Sequence, residues 1–191
     1  MERKKTSYEF LDLELLNSLI EKQDYQSLID YALKLNRQSD RIPANKQMIL
    51  EKELRICQKI IADYILSLQD EKLVHELIFH LFDNDVDFLP DVYEKLCAKL
   101  IDKKTPEEAM DVYKEITNYF FYIPSHTILK FVSSKTKSAN TCLFFINELE
   151  KNYKKRYANE YSKYILNFYQ RFRAVCTKED FEKFIESGMQ N

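Results

Sequence analysis

A single glycine, Gly188, serves 191 residues, and that scarcity restricts the fold more than any other feature of the chain. Tight hairpin turns, phosphate-cradling loops and dinucleotide fingerprints depend on glycine for positive φ or for close approach to the backbone. Its near absence argues against mononucleotide and dinucleotide folds. Four prolines, sitting at apparent element boundaries, leave long uninterrupted helices as the natural solution. With 45% hydrophobic and 31% charged residues, the chain lies far from the composition of disordered segments. Its length suits burial of roughly 70% of the unfolded surface. The reading is one α-helical domain over residues 1–191, with residues 1–7 a flexible lead-in.

Helix punctuation is clearest from Thr105 to Phe131. Thr105, Pro106 and Glu108 supply a side-chain cap, a proline at the first helical position and an acid at the third, the spacing of a capping box. Ala109, Val112, Tyr113, Ile116 and Phe120 continue as a helical stripe, and Pro124 with Ser125 starts a second helix through Phe131 and Val132. That is one helical hairpin.

The same grammar recurs along the chain. Helices are expected from Ser7 to about Glu21, from Asp24 through Leu35, and from Ala44 to Leu68, where Leu50, Leu54, Cys57, Ile61, Tyr64 and Leu68 repeat at spacings of three and four. Asp70 caps a helix with Val74, Leu77, Ile78 and Leu81 inward, and Pro90 opens one using Val92, Tyr93, Leu96 and Leu100. Ala139, Cys142, Leu143, Ile146, Leu149 and Tyr153 mark another, then Tyr157, Tyr161, Tyr164, Phe168 and Phe172 form an aromatic stripe. Thr177 with Asp180 begins the last helix, and Gly188 takes its C-terminal cap position. The fold class is all-α: about ten helices as stacked antiparallel hairpins, in an α-solenoid-like array or an irregular helical bundle, with hairpins beginning near residues 8, 44, 90, 125 and 157.

Glu108, Ala109, Met110, Asp111, Val112, Tyr113, Lys114, Glu115 and Ile116 resemble the second helix of a pentatricopeptide repeat, with Pro124 where that repeat's loop proline falls. Asp24, Tyr25, Leu28, Tyr31, Ala32 and Leu35 look like a tetratricopeptide first helix. Each match covers one or two helices, and what the resemblance implies is hairpin geometry. The position that a pentatricopeptide repeat uses to read a base falls near Leu129 or Lys130, and leucine offers no donor and acceptor edge for a base. The next alanine-led helix, at Ala139, also arrives about five residues early for that repeat.

Three constellations invite a metal or redox reading. His75, Glu76 and His80 approximate a zinc-protease motif, but the histidines are five apart and so lie roughly 140° out of phase on a helix. Asp83, Asp85, Asp87, Asp91 and Glu94 fall at the ligand spacing of a calcium loop. Phe88, however, stands where that loop turns on glycine, and Pro90 removes a backbone donor, so the segment reads as an acidic inter-helix loop that caps the next helix. Cys57, Cys97, Cys142 and Cys176 lie apart from one another, with no CxxC pair, and read as buried thiols in a reducing compartment. No metal site, cofactor site or catalytic residue is assigned.

Net charge is -2, yet its distribution is uneven. Residues 70–94 hold eight acidic residues and one lysine, while residues 125–176 hold ten basic residues and three acidic ones. Lys151, Lys154, Lys155, Arg156, Lys163, Arg171 and Arg173, interleaved with Tyr153, Tyr157, Tyr161 and Tyr169, form the candidate contact surface, with the acidic loop Asp83–Glu94 as a second. The expected function is a non-enzymatic, helical-repeat-like adaptor or assembly factor that binds a protein partner. The alternative is an RNA- or ribosome-associated factor that uses the same cations on phosphates. The first residues, MERKKTSYEF, contain no apolar core of the kind a secretory signal needs. No apolar run reaches membrane-spanning length, and no small-molecule substrate is evident. A cytoplasmic or nuclear protein is expected.

Overall fold

The computed structural model describes residues 8–38, 42–83, 86, 88–119, 125–152 and 158–188. Among the described residues are ten helices and no strand, so the chain is all-α. The helices gather into two compact units, Met1–Leu100 and Ile101–Asn191.

The first unit holds α1 (Leu13–Glu21), α2 (Tyr25–Asn36), α3 (Ala44–Ser67), α4 (Glu71–Asp83) and α5 (Pro90–Leu100). Helix α3 is its spine, packing against α2, α4 and α5, while α1 packs on α2. The apolar stripe of α3 buries Leu50, Cys57, Ile61 and Ile65. Leu54, Tyr64 and Leu68, expected on the same face, are only half-buried. On α4, Phe79 and Phe82 join the expected Val74, Leu77, Ile78 and Leu81 in the core. The ring of Phe82 meets Phe88 and Tyr93, each 5.9 Å away, which draws the start of α5 onto α4.

Helix α1 begins later than the sequence pattern suggested. Asp12 adopts an extended conformation, and its side chain accepts the Leu15 amide, so the helix starts at Leu13 rather than just after Ser7. Residues 8–12 form a strap instead. The amides of Glu9, Phe10 and Leu11 donate to the carboxylate of Glu53 at 2.8, 2.7 and 2.8 Å. The Asp12 amide donates to the Tyr31 hydroxyl at 2.7 Å, and Lys46 pairs with Glu9. Glu53 is 4% exposed, a buried carboxylate satisfied by main-chain donors.

The α1–α2 turn shows how a chain with so little glycine closes a helix. Gln23 takes a φ of 54°, and the Asp24 amide reaches back to the Leu19 carbonyl at 3.0 Å, the six-to-one bond of a Schellman turn. Asp24 then caps α2 by accepting the Ser27 amide at 3.2 Å. Hydrogen bonds from the Ser27 hydroxyl and amide hold the Asp24 carboxyl below its ordinary pKa.

In the second unit are α6 (Pro106–Tyr119), α7 (His126–Lys135), α8 (Ala139–Asn152), α9 (Ala158–Val175) and α10 (Lys178–Gly188). Lys103, before α6, has a φ of 62°. Thr105 and Glu108 make the expected reciprocal cap: the Glu108 carboxylate accepts the Thr105 amide at 2.7 Å, and the Thr105 hydroxyl accepts the Glu108 amide at 3.2 Å. Helices α6 and α7 pack together, while α9 packs on both α7 and α8. At the centre, Tyr113 meets Phe145 edge-on at 4.9 Å, and Phe145 stacks on Phe168 at 4.8 Å. Phe145 rather than the half-buried Leu143 fills the middle of α8. His126 stacks flat on Tyr161 at 5.5 Å, and its Nδ1 lies 3.2 Å from the Tyr164 hydroxyl.

Helix α10 opens with a second reciprocal cap between Thr177 and Asp180. It includes Gly188 as its last helical residue, one position beyond where the sequence pattern ended it. Phe120, Pro124, Tyr153 and Tyr157 lie outside the described residues.

Candidate protein-contact face

Helix α9 separates its residues sharply. Tyr161, Tyr164, Phe168 and Phe172 are buried, which leaves Lys163, Leu166, Gln170 and Arg173 exposed. Those four recur at intervals of three, four and three, so they form one stripe along the solvent side of the helix. Leu166 is 57% exposed and sits between the two cations. Lys163 carries its ammonium over the Tyr164 ring, 5.3 Å from its centre, so the face of that ring supports the cation.

The seven predicted contact cations divide into three groups. Lys151, in the last turn of α8, is exposed, as are Lys163 and Arg173. Arg171 is half-buried and acts inside the unit: its Nε donates to the Thr136 carbonyl at 2.5 Å and its terminal nitrogen to the Lys135 carbonyl at 3.4 Å. Thr136 in turn donates its hydroxyl to Glu107 at 2.9 Å. A cation thereby satisfies the carbonyls that the end of α7 leaves open. Lys154, Lys155 and Arg156 lie outside the described residues.

Leu166 was missing from the sequence-derived surface. It lies off the stripe of Tyr161, Tyr164, Phe168 and Phe172, and an apolar residue off the buried face is a signal the helical period makes available. The tyrosines also sort differently from a stacking platform. Tyr161 and Tyr164 are buried, and the Tyr169 hydroxyl donates to Glu150 at 3.3 Å.

In the acidic segment of the first unit, Asp83 and Asp91 are exposed. Val86 is buried and its amide donates to the Leu81 carbonyl at 3.2 Å. Asn84, Asp85 and Asp87 lie outside the described residues. Among the described residues, no three His, Cys, Asp or Glu side chains gather as a metal-binding set. His75 lies against Phe79 at 4.4 Å, and His80 is exposed.

Cys57, Cys97 and Cys142 are buried free thiols, as expected, but Cys176 is half-buried beyond the end of α9. Burial pushes the Cys57 thiol up to about 12 and that of Cys142 to about 11. An open depression in the first unit is lined by Asp30, Leu33, Lys34, Arg37 and Gln38, successive residues around the end of α2. Among the described residues, no helix is long and apolar enough to cross a membrane.

No family model, curated protein or solved structure matches this chain.

Proposed function

We propose that this chain is a non-enzymatic helical adaptor or assembly factor that engages a protein partner through the solvent face of α9. The observation that carries the reading is Leu166, an exposed leucine flanked by Lys163 and Arg173. An apolar centre with a charged rim is the anatomy of a protein contact. A phosphate-tracking groove combines cations with exposed rings, whereas Tyr161 and Tyr164 are turned into the core. The packed α6–α7 hairpin supports a repeat-like scaffold beneath that face.

The test is affinity capture of the full-length chain from its source cells, comparing wild type with a Lys151→Glu, Lys163→Glu, Arg173→Glu variant. Partners that depend on the face are lost from the variant. Retention of every partner overturns the reading. Recovery of RNA, with binding that weakens steeply between about 50 and 200 mM salt, replaces it with phosphate recognition.

A further inference from the structure

Helix α10 presents chemistry opposite in sign to the α9 face. Residues 178–188 carry four acidic residues and two lysines. Both lysines are turned along their own helix, Lys183 to Glu179 at 2.7 Å and Lys178 to Glu182 at 3.7 Å. Phe181, Phe184 and Ile185 share one side of the helix by their spacing. Phe184 reaches the Phe172 ring at 5.4 Å, but Phe181 and Ile185 stay 47% and 39% exposed. The reciprocal cap at Thr177 and Asp180 fixes the start of this helix, so the two apolar residues are displayed on a formed surface.

From Tyr161 to Cys176 the chain carries three cations and no carboxylate, and Leu166 stands exposed between two of those cations. The acidic, apolar α10 and the basic α9 stripe are therefore complementary in charge, and each has uncovered apolar surface. They cannot satisfy each other within one chain. Only Cys176 and Thr177 link the two helices, and Phe184 is already seated on Phe172, about 120° around α9 from Leu166 by the helical period. Pairing α10 with a second α10 would set acid against acid.

We propose that the chain self-associates, with α10 of one copy docked on the Lys163–Leu166–Arg173 stripe of a second. The proposal rests on the reading of that stripe as a protein contact and names a copy of this chain as an occupant. An 11-residue helix is about 16 Å long, so one such contact falls short of the roughly 800 Å² per partner of a stable interface. A two-fold dimer makes the contact twice, each copy giving its α10 and receiving the other's, and closes without leaving a free end.

Sedimentation equilibrium on the full chain, from low-micromolar to sub-millimolar concentration, tests this. Wild type shifts from monomer to dimer, and raised salt moves the shift to higher concentration. Leu166→Glu, an exposed change that leaves the core intact, holds the chain monomeric at every concentration. Charge exchange gives the sharper arm. Lys163→Glu with Arg173→Glu in one chain, and Glu179→Lys with Glu182→Lys in another, each remain monomeric alone, but their mixture forms heterodimers because both contacts are again of opposite sign. Circular dichroism verifies that each variant keeps its helices; where one does not, Leu166→Glu decides. A wild type that is monomeric throughout, a Leu166→Glu chain that dimerises like wild type, or a mixture of folded exchange variants that stays monomeric overturns the proposal. If the chain stays monomeric while reversal of the α9 face still releases a captured partner, the self-association fails and the adaptor reading stands.

Discussion

Replacing Glu53 with glutamine is the most incisive test of how the first unit is held together. The carboxylate is 4% exposed and takes three consecutive amides at 2.7 to 2.8 Å. A hydrogen bond to a charged acceptor contributes about 1.5–3 kcal/mol. Glutamine retains one acceptor oxygen. Turned toward Phe10 and Leu11 it keeps two bonds without charge assistance, and it sets its own NH2 against the Glu9 amide. One bond is lost and two are weakened, a gross loss of about 3–4 kcal/mol.

Two effects reduce that figure. Removing the buried charge removes its desolvation cost, and the strap can lift so that its amides meet water rather than stay stranded. Lifting has its own cost, because Leu11 is buried and its exposure forfeits about 2 kcal/mol. The expected outcome is a loss of about 2 kcal/mol in urea unfolding, with Glu53→Ala costing more. Hydrogen exchange supplies the local readout: the amides of residues 9–11 lose protection in the variant, while those in α9 do not. A Glu53→Gln protein within about 0.5 kcal/mol of wild type, with those amides still protected, refutes the reasoning.

Arg171→Lys should destabilise the second unit by about 1–2 kcal/mol because a lysine cannot hold two carbonyls from the guanidinium's position, whereas Arg173→Lys should be silent; thermal melts of the pair distinguish them. The carboxyls of Asp24, Glu108 and Asp180 all sit below their ordinary pKa through amide and hydroxyl bonds. Their stabilisation is therefore present above the ordinary carboxylate range near 4 and lost as pH falls through the folded-state values; a Thr105→Ala, Thr177→Ala chain should show a flatter decline in urea midpoint over that window. Thiol titration of the native protein should label Cys176 well before Cys57, Cys97 and Cys142, with all four reacting after unfolding. Equal rates for the four in the native chain would contradict the burial described.

Capping was legible because it is local. Thr105 with Glu108 and Thr177 with Asp180 each complete their geometry within three residues, so no tertiary information is needed to see them. The buried halves of α6 and α9 were legible for a related reason, since helical period alone sorts inside from outside. Glu53 was not. It stands three residues after Leu50 and four before Cys57, on the apolar face of α3, where a charge signals a partner but not which one. Its partner is a strap more than forty residues away in sequence, and that strap also takes residues 8–12 out of the helix suggested by their spacing. The bonds of Arg171 inside the unit were hidden for the same reason: its carbonyl partners belong to the end of α7, and only the packing of α9 on α7 brings them within reach. Leu166 is legible from the period, since it lies off the stripe of Tyr161, Tyr164, Phe168 and Phe172.

The left-handed turns at Gln23 and Lys103 hold a reserve that protein engineering could release. A side chain with a Cβ in that conformation carries about 1 kcal/mol of strain that glycine does not, and at neither turn does this chain use glycine. Gln23→Gly and Lys103→Gly would each trade the strain against a looser unfolded state that takes back about 0.4–1 kcal/mol, for a net gain of at most a few tenths of a kcal/mol. They are the first positions to alter for a hardier version of the protein, since both lie outside its helices.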